Sequence, residues 1–275
     1  MTSTFEQEVK QGKRFQFGQN WQRFLSVLND ERITEAEKSL KQMLELEDLE
    51  GKSFLDIGSG SGLFSLAARR LGAKVHSFDY DPNSVACAQQ LKHRYFPEDS
   101  NWKIEQGSVL DADYLKSLGK FDIVYSWGVL HHTGAMWQAL ENVSLSVATR
   151  GRLLIAIYND QGDKSQFWCK IKQMYCSGII GRTLVSSFFI SYFFMSRLVV
   201  DLLKFRNPVN RYSEYKKSRG MSVIHDWFDW LGGYPFEVAK PESIFAFYRD
   251  RGFILENLIT CGGRLGNNQF VFSKE

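Results

Sequence analysis

The 275 residues predict an α/β fold: a mostly parallel sheet covered by helices on both faces, with an antiparallel last strand. Three observations carry this expectation. Short apolar runs alternate with helical stretches between residues 53 and 158, the pattern of a parallel sheet. A glycine-rich turn, 58–62, follows the first of these runs directly. Two strand-like runs near the C-terminus are joined by a connection too short for a crossover helix, so they must pair antiparallel.

Each element has its own signal. Residues 31–50 mix acids and bases around Leu40, Met43, Leu44 and Leu46, as in a helix packing one stripe inward. Residues 53–57 form the first strand, and 63–71 a helix closed by Gly72 past its end. Residues 74–78 are the second strand. Asp81 then caps a helix that begins at Pro82, where a missing N–H is harmless. Strands at 103–105, 121–125 and 152–158 follow, with a helix over roughly 135–148 before the last. Residues 253–259 and 269–273 complete seven strands, turning through the glycine-rich stretch 262–266. The chain divides into an N-terminal helical segment (1–50), a ligand-binding core (51–160), a helical insertion (161–235) and a C-terminal helix with hairpin (236–275).

Composition narrows the function without naming it. With 44% hydrophobic and 24% charged residues the chain is globular. A net charge of +3 neither requires nor excludes nucleic acid. Cys87, Cys169, Cys176 and Cys261 form no CxxC pair and meet no histidines at zinc spacing, so reduced thiols and no metal are expected. The polar stretch 1–14 has no signal-peptide character, and a cytoplasmic location is expected.

Residues 55–62, Leu-Asp-Ile-Gly-Ser-Gly-Ser-Gly, are the most informative segment. Gly58, Gly60 and Gly62, with Ser59 between, let the backbone approach a ligand closely at the start of a helix. Asp79, about twenty residues on and followed by Tyr80, is placed to accept hydrogen bonds from both hydroxyls of a ribose. A tight strand–helix turn without ligand gives the same glycines. NAD and FAD sites use GxGxxG, whereas the third position here is Leu63 and the spacing is GxGxG. Asp56, at the strand end, suits an amino-acid ammonium better than a pyrophosphate. The acid favours S-adenosylmethionine.

Residues 53–158 resemble the class I S-adenosylmethionine-dependent methyltransferases, in particular the small-molecule branch similar to quinone-biosynthesis methylases. The matching segments are the glycine motif at 55–62, Asp79, residues 107–111 after the third strand, and 121–132 at and beyond the fourth. The resemblance implies a Rossmann-like seven-stranded sheet with a reversed last strand. It also implies that Ser108 and Val109 flank an adenine, and that Ser126 lies on the cofactor side. The segment from Phe15 to Trp21 resembles one that closes over the cofactor, with Gln16, Asn20 and Trp21 as a polar and aromatic lid; a helix that merely packs its aromatics is the alternative.

Methyl transfer from a sulfonium needs alignment and exclusion of water, with a general base where the nucleophile is a hydroxyl. His131 and His132, beyond the fourth strand, sit at the carboxyl edge of the sheet, where they are candidate bases or simple helix caps. Trp127, Tyr158 and Asn159 occupy the same edge and are candidates for acceptor contact. His225, Asp226 and Trp227 fall in an aromatic segment read as a loop returning to the sheet. There His225 is a second candidate base or an acceptor clamp, with Asp226 and Trp227 as candidates for acceptor contact; a buried aromatic corner is the alternative.

Residues 178–203 are strongly apolar, yet the uncharged run 183–196 lies between Arg182 and Arg197 and is shorter than the ~20 residues a membrane span needs. A buried lid over the acceptor pocket is the preferred reading. Peripheral contact with a membrane surface, favoured by basic flanks, is the other. The expected function is transfer of a methyl group to an O or N atom of a small-molecule acceptor. The alternatives are an RNA methyltransferase, a membrane-associated enzyme with a lipid-like acceptor, and a non-catalytic adapter. The RNA reading lacks an NPPY-like signature, since residues 125–128 read Tyr-Ser-Trp-Gly. An intact glycine motif with Asp79 argues against the adapter.

Overall fold

A computed structural model describes residues 4–203 and 223–275. Seven strands form one sheet: β1 (Ser53–Ile57), β2 (Lys74–Asp79), β3 (Trp102–Gln106), β4 (Phe121–Trp127), β5 (Val147–Tyr158), β6 (Phe253–Ile259) and β7 (Asn267–Lys274). Their order is β3-β2-β1-β4-β5-β7-β6. β1 to β5 pair parallel, and β7 alone runs against its neighbours β5 and β6. The sheet is the one the sequence predicts, reversed strand included.

Because side chains alternate across a strand, β1 feeds two cores at once. Phe54 joins the core beneath α3 (Asp30–Leu44), α4 (Leu63–Arg70) and α5 (Pro82–Tyr95). Leu55 and Ile57 join the opposite core with Val124, Leu140, Ile155 and Tyr248, beneath α6 (Ala112–Leu118), α7 (Met136–Leu145) and α11 (Pro241–Arg249). Capping follows expectation: Asp81 accepts from the N–H of Asn83, with Pro82 opening α5. Asn29 likewise caps α3 through the N–H of Arg32.

Two boundaries differ from the sequence reading. β5 begins at Val147, not Arg152, and α7 is correspondingly shorter. Polar residues 149–151 resemble a loop in sequence, but a register irregularity between Phe121 and Ile123 and a positive φ of 63° at Arg150 carry the strand through them. Most of the 225–235 segment expected to be a loop is helical instead, within α10 (Val223–Gly232).

The insertion contributes α8 (Asp163–Cys176), α9 (Ile179–Leu203) and α10, which enclose a small core of their own. Val185 and Phe189 of α9, Tyr175 and Cys176 of α8, and Leu231 of α10 are buried together, with Phe15 packed against them. Trp227 is buried as well, its ring 5.6 Å from Phe193 and beneath the guanidinium of Arg197 at 5.0 Å. All four cysteines are free thiols.

Candidate active site

In an open parallel sheet the ligand crevice opens where strand order reverses, outside the carboxyl ends of the strands. Here β1 lies between β2 and β4, and the chain leaves five adjacent strand ends around one cavity of about 230 Å³. Its wall comes from Ile57, Gly58 and Gly60 after β1, and from Asp79, Tyr80 and Asp81 after β2. It continues with Gly107 to Leu110 after β3, Trp127 to Val129 with His132 and Thr133 after β4, and Tyr158 at the end of β5.

The glycine turn is shaped by contact as well as by backbone angle. Gly58 has φ +76°, and a Cβ there would lie 2.4 Å from the side chain of Val129. Gly60 has φ +54°, and its missing Cβ leaves room for the indole of Trp21 at 3.1 Å. Gly62 serves a different purpose. A Cβ at Gly62 would collide with Ala88, so this glycine brings α4 against α5 and is absent from the cavity wall. Ser59 is also outside the wall; its N–H anchors the turn on the carbonyl of Phe78 at 3.1 Å.

The two carboxylates divide the same way. Asp79 faces the cavity, where its Oδ2 accepts the N–H of Gly60 at 2.9 Å and its Oδ1 accepts the N–H of Asp81 at 2.8 Å. Burial pushes its pKa up to about 6, so it is anionic at neutral pH, and each oxygen keeps a further lone pair. Asp56 points to the opposite side of the strand. It is 2% exposed, accepts from Ser65 Oγ of α4 at 2.5 Å and does not line the cavity. Burial raises its pKa to about 7. The ammonium contact expected of Asp56 is not prepared by this placement: the alternation of β1 sends the side chain beneath α4.

The N-terminal segment closes the front. Phe5 of α1 (Phe5–Lys10), Arg14, Phe15, Phe17 and Trp21 all line the cavity. Three ties hold this arm down. The N–H of Gly18, first residue of α2 (Gly18–Leu25), donates to Asp81 Oδ2 at 2.8 Å, and a side chain at 18 would displace that carboxylate. Arg14 donates to the carbonyls of His132 and Thr133 at 2.8 and 3.2 Å. The N–H of Phe15 donates to the carbonyl of Tyr234 at 2.7 Å. Of the expected lid residues, Trp21 reaches the cavity. Gln16 bonds Gln19 instead, and Asn20 is likewise outside the wall.

The two histidines separate sharply. His131 is fully buried, its ring 4.0 Å from that of Tyr158, and burial drives its pKa far down. It lines no part of the cavity, so it supports Tyr158 rather than meeting a ligand. His132 does line the cavity. Its Nδ1 lies 2.6 Å from the carbonyl of Pro235. A carbonyl can only accept, so Nδ1 carries the proton and Nε2 keeps its lone pair. Burial lowers its pKa to about 3, which keeps the ring neutral throughout the physiological range. Phe17 and Tyr158 flank it at 5.1 and 5.5 Å.

Other expected positions turn out to be scaffolding. Ser126 is fully buried and donates to the carbonyl of Ile57 at 3.1 Å, tying β4 to β1. Asn159 is buried outside the cavity; it donates to the carbonyl of Arg264 and accepts from Asn268, which fixes the β6–β7 connection. Trp227 belongs to the core of the insertion. The side chains of His225 and Asp226 lie outside the described residues. Ser108, Val109, Tyr80, Trp127 and Tyr158 all line the cavity. Sequence reading passed over Arg14, Phe17, Val129 and the tie between Gly18 and Asp81. Only the glycine at 18 offered a signal for them.

The described part of the insertion does not cover the cavity. No residue of α9 lines the cavity, and among the described residues the cover comes from the N-terminal arm. The insertion acts from behind instead: Trp230 of α10 packs edge-on against Tyr158 at 6.0 Å.

Five parallel strands, a reversed seventh and a ligand cavity at the β1/β4 reversal define the class I methyltransferase architecture. Residues 48–206 match the family model of the methyltransferase domain, more than half of the chain, and the protein belongs to that family of S-adenosylmethionine-dependent methyltransferases. Among curated relatives, a tRNA U34 carboxymethyltransferase of Pseudomonas fluorescens is 33% identical over 121 residues, 43% of this chain and 36% of the relative. A ribosomal protein L11 methyltransferase of Anoxybacillus flavithermus is 35% identical over 95 residues, 30% of each chain. The chain thus spans about a third of the length of the relatives it matches. Among solved structures, the magnesium protoporphyrin IX methyltransferase of Synechocystis with bound SAM has a TM-score of 0.52 at 13% identity, covering 88% of this chain and 79% of that one. Rickettsia typhi PKMT2 in complex with AdoHcy reaches 0.57 at 14% identity, covering 87% and 52%. At these identities the structures speak for the fold.

Proposed function

We propose that this methyltransferase acts on an O or N atom of a small acceptor with an aromatic or apolar body, held at the Phe15, Phe17, Trp127, His132 and Tyr158 end of the cavity. The observation that carries the reading is the enclosure of that end. It is walled by rings, covered by the N-terminal arm and supplied with one uncharged histidine. Such a wall binds apolar surface and offers a single polar handle for orientation.

The cofactor half fits its ligand. Gly58 and Gly60 leave a bare main chain that a Cβ would fill, and the anionic Asp79 beside them has lone pairs for two ribose hydroxyls. Tyr80, Ser108 and Val109 complete that wall, and Trp21 closes over Gly60. When bound, S-adenosylmethionine supplies a methyl group already activated by its positive sulfur. The protein's part is alignment and the exclusion of water. The Arg14, Phe15 and Gly18 ties hold the arm closed over the cavity. His132 Nε2 accepts a hydrogen bond from the acceptor's O–H or N–H and so points its lone pair toward the methyl donor. His132 acts as an orienting acceptor and weak base, since its pKa near 3 disfavours full proton capture.

A second reading rests on the relatives, one named for tRNA and another for a ribosomal protein. A single base or side chain entering the cavity would meet the same rings. The purified protein, incubated with methyl-labelled S-adenosylmethionine and a cell extract, tests both. The proposal expects label in molecules that survive nuclease and protease digestion and pass a size filter. Label retained in RNA or protein establishes the second reading instead.

A further inference from the structure

We infer that α9 is a docking face for an anionic membrane surface, on which the enzyme lies with the helix parallel to the plane. Its 25 residues would extend about 37 Å. Ile180, Leu184, Phe188, Tyr192, Met195 and Val199 recur at spacings of three and four, so they form one stripe, and each is between 49% and 78% exposed. The stripe ends at Leu203, also exposed. At its start Met174 of α8 joins Ile180 and Leu184 around a shallow notch, which widens the apolar face. Monomeric proteins rarely leave so continuous an apolar surface in water.

The opposite side of the helix decides its posture. Val185 and Phe189 are buried against α8 and α10, and Asp201 is buried as well. The helix is long and apolar enough to cross a membrane, with a mean hydropathy of 1.6 over an 18-residue window within Ile179–Asp201. Crossing would strip away that inner packing and carry Arg182 and Arg197 into hydrocarbon. Lying flat keeps the domain folded and buries only the stripe.

Charge selects the partner. The sequence that continues directly from α9 contains Lys204, Arg206, Arg211, Lys216, Lys217 and Arg219 against one acid, Glu214. A basic stretch that follows an apolar helix in the sequence suits anionic headgroups. The apolar stripe itself carries no charged residue.

Flotation of the full chain with phosphatidylcholine vesicles, with and without phosphatidylglycerol, tests the inference. The protein should float with anionic vesicles, poorly with neutral ones, and less as salt rises. The double variant Phe188→Ser, Tyr192→Ser, altered only on the exposed stripe, should partition about tenfold or more weakly while keeping its melting curve and its affinity for S-adenosylhomocysteine. That affinity control separates failure of docking from failure of the enzyme. Three results overturn the inference: no flotation by a folded, cofactor-binding protein; resistance to alkaline carbonate extraction, which marks a spanning helix; or dimerisation in sedimentation that the double variant abolishes.

Discussion

Asp56 and Asp79 look equivalent in the sequence, and substituting each by Asn separates them. Asp79→Asn removes the charge that faces the cavity and one of the two acceptors holding Gly60 and Asp81. Charge-assisted hydrogen bonds of this kind contribute about 1–3 kcal/mol, so S-adenosylhomocysteine affinity should fall by roughly 5- to 150-fold. Asp56→Asn should leave that affinity nearly intact, because Asp56 touches Ser65 and not the cavity. Its effect appears in stability. Burial raises the folded pKa of Asp56 to about 7 from an ordinary value of 3.8. A group raised in this way contributes stability that is complete below pH ~4 and is lost as pH rises through ~7. At most about 4 kcal/mol separates the two ends of that window. Asparagine has no such titration and still accepts from Ser65. Asp56→Asn should therefore gain stability relative to wild type between pH 5 and pH 8, read from denaturant midpoints. Calorimetry with S-adenosylhomocysteine gives the affinities. A loss of affinity in Asp56→Asn equal to that in Asp79→Asn, with no pH-dependent gain, would refute this division of roles.

Four further outcomes follow from the geometry. Gly58→Val forces a branched side chain into φ +76° and against Val129, so cofactor binding should drop below detection in calorimetry while the sheet's circular dichroism persists. Trp21→Ala removes the ring over Gly60 and should weaken S-adenosylhomocysteine by about 1–2 kcal/mol, chiefly through faster release in stopped-flow. His132→Ala should lower kcat/KM by about 10²-fold with any acceptor that supports turnover. Since the His132 pKa lies near 3, the wild-type rate should show no histidine limb between pH 6 and pH 9.

The sheet was legible because its signals are local. Strand–helix alternation, a glycine turn and a connection too short for a crossover each depend on neighbours in sequence. The same holds for Asp79, placed by one turn and one strand end. What failed was facing. Asp56 and Gly62 sit in the motif, yet strand alternation turns one under α4 and helix packing claims the other. His131 and His132 are adjacent, and only the fold decides which one meets the cavity. The cover was misassigned because apolarity alone drew attention to residues 178–203. The arm that does the work is held by Arg14, Gly18 and Asp81, whose partners are 60 or more residues away. Long-range ties of that kind leave no periodic trace.

The most direct test is a crystal structure with S-adenosylhomocysteine bound. The account predicts the nucleoside between Asp79 and Ser108, its ribose hydroxyls on Asp79, Trp21 over the glycine turn, and the sulfur turned toward His132 and Tyr158. A ligand seated elsewhere, or an amino-acid end held by Asp56 with Asp79 untouched, contradicts it.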